Sequence, residues 1–323
     1  MDVSVGSISV AVNAFPWDFS AGLAVMLAQG HPLLAGCAER LDTISSTAVT
    51  NSKKERDSAV NTVSTEEATT SEPEVLVEQR DRILIITINR PKAKNAVNAA
   101  VSRGLADAVD RLDGDQGLSV GILTGAGGSF CAGMDLKAFA RGEVPIVEGR
   151  GMGFTERPPV KPLIAAVEGY ALAGGTELAL ATDLIVASKD AAFGIPEVKR
   201  GLVAGGGGLL RLPERIPPAI AMELALTGEN FTAERAHALG MVNVLAEPGG
   251  ALEAAIALAE RITVNGPLAV AATKRIIVES RGWSPDTRFA EQNTILMPVF
   301  SSNDAKEGAI AFAEKRPAHW TGT

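Results

Sequence analysis

Two glutamates in this chain each close a glycine-bearing turn. Glu177 ends the run Gly169-Tyr170-Ala171-Leu172-Ala173-Gly174-Gly175-Thr176-Glu177, and Glu197 ends Phe193-Gly194-Ile195-Pro196-Glu197. A glycine run, Gly205 to Gly208, follows the second, and a third turn lies upstream at Gly127-Gly128-Ser129-Phe130-Cys131-Ala132-Gly133-Met134-Asp135. Two carboxylates can move protons, and two glycine turns can offer bare backbone N–H groups to a ligand. That combination suits chemistry beside a carbonyl that gains negative charge.

Each turn also has a plainer use. A helix starting near Gly175 would carry Glu177 in its first turn, where the dipole favours an acid. On spacing, this reading and the catalytic one stand level. The same helix start leaves the Gly174 N–H unpaired, and no side chain there blocks a ligand. Met134 offers a second N–H, or its turn simply connects a strand to a helix capped by Asp135 near Leu136. Glu197 is either a surface acid beside a glycine loop or, next to Phe193 and Ile195, a partly buried acid with a raised pKa.

The elements that must position these groups are legible in the periodicity. Val75–Gln79 and Ile83–Asn89 read as a hairpin across Arg80-Asp81-Arg82, and Asn89-Arg90-Pro91 ends the second strand. Asn98–Leu112 reads as a helix with Leu105, Val109 and Leu112 on one face. Val120–Thr124, Leu163–Val167 and Leu184–Ala187 read as buried strands alternating with helices, the pattern of stacked units with parallel strands. Helices are expected over Pro218–Thr227, Ala233–Leu239, Ala251–Ile262, Leu268–Ser280, Asp286–Val299 and Asp304–Lys315. The fold class is therefore α/β with a helical C-terminal section. Thr43 to Glu72 is rich in Ser, Thr, Asn, Glu and Lys and reads as a disordered linker, with a weak helix before it over 20–41. No motif precedes Glu74, so a chain starting there, or at Val63 if translation begins at a valine codon, is expected to keep stability and turnover.

Composition narrows the function. The 323 residues carry a net charge of -8, which disfavours a general nucleic-acid binder. The two cysteines, Cys37 and Cys131, are far apart, which fits a reducing cytoplasm. His31, His237 and His319 are scattered and share no metal-ligand spacing. Ala21 to Ala28 is too short to span a bilayer, and no Lys or Arg precedes Arg40, so neither a secretory signal nor a mitochondrial transit peptide fits.

Taken in order, Asn89-Arg90-Pro91-Lys92-Ala93-Lys94-Asn95-Ala96, the Phe130–Asp135 turn, Gly169–Glu177, Phe193–Glu197, Leu226-Thr227-Gly228 and Ala311-Phe312-Ala313-Glu314-Lys315-Arg316 closely resemble the crotonase superfamily. Within it they are most similar to bacterial enoyl-CoA hydratases. The resemblance runs from about Glu74 to the C-terminus. It implies a spiral of ββα units over 74–265, with a helical trimerisation section over 266–323 after an extension over 1–73. It implies an acyl-CoA substrate whose thioester oxygen sits between the N–H groups of Met134 and Gly174. Glu177 and Glu197 would flank a water, and Gly205 would help hold it. The CoA portion would lie near Lys92, Ala93, Ala132 and Asp135, with Lys315 of the partner subunit near its phosphates.

The implied reaction is syn addition of water across a 2-trans-enoyl-CoA. Glu177 takes a proton from the water attacking C3, and Glu197 delivers one to C2. No metal or redox cofactor is required, since CoA is part of the substrate. The implied protein is a cytoplasmic homotrimer or homohexamer of fatty-acid or related acyl-CoA breakdown, with no nucleic-acid or membrane partner. Ala173 departs from a frequent glycine and Thr176 from a frequent cysteine or small residue. The segment from Lys137 to Pro162, which in the family shapes the acyl pocket and is often mobile, is idiosyncratic. An enoyl-CoA isomerase or another crotonase-family reaction using one glutamate, or a non-catalytic acyl-CoA or RNA binder, are the competing readings. Retention of both carboxylates disfavours the isomerase. The 98–112 helix, with Asp107 and Asp110 against Arg103 and Arg111, disfavours an RNA surface.

Overall fold

The computed structural model describes residues 72–323. The helix expected over 20–41 and the linker expected over 43–72 lie outside the described residues, except for Glu72. The hairpin pairs β1 (Val75–Arg80) with β2 (Ile83–Ile88) in unbroken antiparallel register. Its turn is tighter than the sequence suggests. Arg80 stays in the strand, and Asp81 takes φ 49°. A two-residue hairpin turn demands such a conformation, and aspartate tolerates it.

The chain continues through α1 (Ala99–Gly114), β3 (Val120–Gly125), the short α2 (Leu136–Phe139), β4 (Leu163–Val167), β5 (Tyr170–Leu172), α3 (Gly174–Leu180), β6 (Leu184–Ser188) and β7 (Ala192–Gly194). Then come α4 (Gly208–Arg215), α5 (Pro218–Thr227), β8 (Phe231–Thr232), α6 (Ala233–Ala238), β9 (Val244–Ala246) and α7 (Ala251–Thr263). The last helices are α8 (Pro267–Glu279), α9 (Arg288–Phe300) and α10 (Asn303–Glu314).

The main sheet has the order β1-β2-β3-β4-β6-β9, and every pairing after the first is parallel. Its inner strands are apolar on both faces, as a parallel sheet covered on both sides requires. One face packs the large core, including Leu84, Ile86, Val101, Leu105, Leu123 and Phe130. The other face, Ile83, Ile85, Ile122, Ile164 and Val186, is covered by Ala255, Ile256 and Ala259 of α7. Helix α1 begins where the Asn98 side chain accepts a hydrogen bond from the Val101 N–H, and it buries Leu105, Val109 and Leu112 as its periodicity predicts.

A second, three-stranded sheet has the order β5-β7-β8. Its first two strands fall in segments that read as glycine turns in the sequence. Three-residue strands holding or abutting glycine carry too few side chains to display alternation. They pair in parallel, Tyr170 with Ala192, Ala171 with Phe193 and Leu172 with Gly194. Helix α4 also lay hidden, because its first residue is the last of the four glycines.

The C-terminal helices bury little within the chain. Helix α8 has no fully buried residue, and α9 buries only Ile295. Phe289, Phe300 and Phe312 are 67%, 70% and 87% exposed, so a wide apolar surface faces outward. Among the described residues, no single helix is long and apolar enough to cross a membrane.

Candidate active site

The small sheet brings the two glutamates together. Strand β5 leads into α3 and so to Glu177, while β7 leads through Ile195 into a 3-10 turn, Pro196–Arg200, that carries Glu197. The hydroxyl of Thr176 fastens the two strands. It lies 2.6 Å from the Ala171 carbonyl and 2.8 Å from the Gly194 carbonyl, and accepts from the Gly194 N–H at 3.0 Å. A buried clip of this kind needs a hydroxyl, which accounts for threonine at this position.

Glu177 is buried, at 3% exposure. Its Oε1 accepts hydrogen bonds from the N–H groups of Gly206, at 2.7 Å, and Gly208, at 2.9 Å. Burial raises its carboxyl above the usual range, against the pull of those two N–H groups and of the nearby Arg211. Glu197 differs. Its Oε2 is buried without a hydrogen-bond partner. Burial and, more weakly, the charge of Glu177 push its carboxyl up to about 6, against its own backbone N–H. One acid is thus cradled by donors that favour its ionised form, while the other keeps a dry oxygen that favours a proton.

The oxyanion donors expected at Met134 and Gly174 lie on adjoining turns. Bridges Val97–Met134 and Cys131–Ala171 tie the upstream turn to its surroundings. Gly133 takes φ +100°, and a Cβ there would lie 2.7 Å from the Ala173 Cβ and 3.3 Å from the Gly174 nitrogen. Only glycine lets the backbones approach this closely. Ala173 itself sits at φ 51°, ψ -125°, a conformation L-residues avoid, and this aims the first turn of α3. The C=O of Cys131 lies against Gly175, where a Cβ would come within 2.1 Å of it. Burial pushes the Cys131 thiol up to about 12, so it packs as an apolar group.

The residues expected around CoA are arranged more loosely. Lys92 and Ala132 are exposed and Ala93 half-buried, and the Ala132 N–H donates to the Lys94 carbonyl. The Asp135 carboxylate is already engaged. It caps α2 through the N–H groups of Lys137 and Ala138 and accepts from Arg90 Nη2 at 2.9 Å. Burial works upward on its pKa, but those donors outweigh it and hold the carboxyl low. Gly205 is exposed, and the glycines that touch a catalytic candidate are Gly206 and Gly208. Lys315 is exposed where it ends α10 in the left-handed conformation.

The chain matches the enoyl-CoA hydratase/isomerase family over residues 78–323. It is 44% identical over 261 residues to the enoyl-CoA hydratase EchA19 of Mycobacterium tuberculosis, covering 76% of this chain and 96% of the relative. This chain belongs to the enoyl-CoA hydratase/isomerase family. A solved structure of the enoyl-CoA hydratase EchA1 from Mycobacterium marinum is 88% identical, with a TM-score of 0.77, covering 78% of this chain and all of the other. A carnitinyl-CoA dehydratase of Salmonella arizonae is also 44% identical, over 74% of this chain and 95% of the relative. The crotonase fold and enzyme class expected from the sequence are therefore those of this family member.

Two contributors to the site were not singled out from the sequence. Arg211 donates to the Thr155 carbonyl through Nη2 and lies 3.4 Å from the Gly206 carbonyl through Nη1, so it braces the loop that holds Glu177. Met152 fills the space between Gly174 and Gly206. The flanking Gly151 and Gly153, and the arginine three residues after Gly208, were the available signals. Behind Arg211 lies a cavity of about 600 Å3. Its other cations are all engaged: Arg215 by the Thr182 and Asp183 carbonyls, and Lys274, Arg275 and Arg281 by carboxylates. Among the described residues, no cluster of three His, Cys, Asp or Glu side chains could hold a metal.

Proposed function

We propose that this enzyme adds water across the double bond of a 2-trans-enoyl-CoA to give the 3-hydroxyacyl-CoA. The observation that carries the proposal is the unequal pair: Glu177 held by two N–H donors, and Glu197 with an orphaned buried oxygen and a carboxyl near 6. Glu177 takes the proton of the attacking water, and Glu197 supplies the proton that C2 acquires. The N–H groups of Met134 and Gly174 receive the charge that develops on the thioester oxygen. Losing one such donor costs about 3–4 kcal/mol of transition-state stabilisation. The chemistry asks only for proton transfers, which the two glutamates supply, and CoA enters as part of the substrate.

Lys92, Ala93, Ala132 and the Asp135 turn form the proposed CoA side of the site, completed by Lys315 of the partner subunit. Asp135 contributes there by fixing its turn, since its carboxylate is committed to Arg90 and α2. The exposed phenylalanines of the C-terminal helices support assembly as a trimer or hexamer. A role in acyl-CoA breakdown in the cytoplasm, with Gly205 helping to hold the water, completes the proposal.

The test follows loss of the conjugated thioester absorbance when purified protein meets crotonyl-CoA and longer 2-enoyl-CoAs, with product identified by mass. A mass gain of one water supports hydration. A shifted double bond with no mass change would establish an isomerase instead. Carnitinyl-CoA is assayed beside them, because the Salmonella arizonae relative named for it bears on the acyl group.

A further inference from the structure

Met152 packs against Gly174 and Gly206, beside Glu177. A Cβ on Gly174 would lie 3.0 Å from its sulfur and 3.3 Å from its methyl carbon. A Cβ on Gly206 would lie 2.4 Å from that methyl and 2.9 Å from Glu177 Oε2. The thioether end therefore packs close to Gly174, whose N–H is expected to hold the thioester oxygen, and to Gly206, which lies against the carboxylate expected to act at C3. The side chain is buried, at 5% exposure.

The turn that carries it is fixed in place. The Met152 N–H donates to Thr155 Oγ1 at 3.0 Å, and Arg211 grips the Thr155 carbonyl. Gly153 lies against α1, where a Cβ would come 2.6 Å from the Ser102 carbonyl oxygen and 2.7 Å from the Leu105 Cβ. Phe154 and Thr155 are buried beside it. Met152 is thus an apolar wall on an anchored turn. Its thioether is at most a weak acceptor and competes little with Glu177 for a water proton.

We infer that Met152 sets acyl selectivity at C2 and C3, admitting an unbranched 2-enoyl chain and excluding a methyl branch there. The inference rests on the hydratase reading of the same site. A thioester whose oxygen lies on Met134 and Gly174, and whose C3 faces Glu177, must run its C2 and C3 substituents along this methyl group. Removing the wall opens room for one extra carbon.

The test compares kcat/KM for crotonyl-CoA with that for 2-methylcrotonyl-CoA and 3-methylcrotonyl-CoA, in the wild type, Met152→Ala and Met152→Leu. Taking the ratio within one preparation cancels any difference in the folded fraction. One methyl in an apolar pocket typically discriminates about 10- to 200-fold. Met152→Ala is expected to raise the branched-to-unbranched ratio by about 10-fold or more, for at least one branched substrate. Met152→Leu, of similar volume, is expected to hold the wild-type ratio. Equal ratios in the wild type and Met152→Ala would overturn the inference. So would loss of crotonyl-CoA hydration in both variants, which would make Met152 a support of the fold alone. A wild type that hydrates no enoyl-CoA would overturn the hydratase reading, and the inference with it.

Discussion

Glu197 keeps a buried oxygen with no hydrogen-bond partner, and burial lifts its carboxyl to about 6. Two consequences can be measured. If Glu197 acts as the acid, kcat/KM must fall as the pH rises through about 6, the value in the free enzyme. If Glu177 acts as the base, activity must also fall at the acid end, as Glu177 takes up a proton. With one group required protonated and the other ionised, the profile is a bell. The second consequence concerns stability. Unfolding returns Glu197 to the ordinary glutamate value of 4.5, below its folded value of about 6. The folded state therefore binds the proton more tightly, and this contribution is present below pH 4.5 and lost as the pH rises through 6. Glu197→Gln carries no such loss. It should gain on the order of 1 kcal/mol over the wild type at pH 8, and nothing at low pH, when thermal unfolding is compared at the two pH values. An equal offset at both would show that the buried charge is not what costs stability.

At the scale of elements, the small sheet decides the site. Thr176 joins β5 to β7, and the Gly194 N–H takes its hydroxyl as acceptor. Thr176→Val would leave buried polar groups unpaired, at a cost of about 1–3 kcal/mol, and would separate the two glutamates. Loss of kcat and of stability together, both restored by Thr176→Ser, is the expected result of kinetics and denaturant unfolding. Ala173 makes the opposite case. Its φ of 51° and ψ of -125° strain an alanine but not a glycine. Ala173→Gly should stabilise by about 1 kcal/mol with little change in kcat, as relief of strain outweighs the added freedom of the unfolded chain. These elements also show what the sequence could and could not display. The hairpin, α1 with its apolar face and the continuous apolar runs of the main sheet's inner strands stand within a residue or two of where their patterns put them. Strands β5 and β7 are three residues each, so the partnership that joins Glu177 to Glu197 is a long-range fact with no local signature. Arg211 and Met152 escaped for a related reason: each acts on a residue far from it in the chain. The positions of Glu177 and Glu197 were legible because glycine turns mark where a backbone comes close to something.

At the scale of the whole molecule, α8 and α9 leave their apolar residues outside, and Phe312 is 87% exposed at the end of α10. Monomers rarely expose so many large apolar side chains in one section. The protein should run as a trimer or hexamer on light scattering, and a charged substitution such as Phe312→Asp should shift it toward smaller species. Because Lys315 would complete the site of the partner subunit, that variant should also weaken CoA binding. A wild type that is a clean monomer at micromolar concentration would remove Lys315 from the site.

The central claim is that Glu177 and Glu197 together add water to an enoyl thioester. It is tested most directly by kcat/KM for crotonyl-CoA in Glu177→Gln and Glu197→Gln, with CoA affinity measured on the same preparations by calorimetry. General acid–base catalysis contributes about 10²- to 10⁴-fold for each group. Each variant is expected to lose activity in that range while CoA affinity stays at the wild-type value. Hydration at near wild-type rate in both variants would contradict the account.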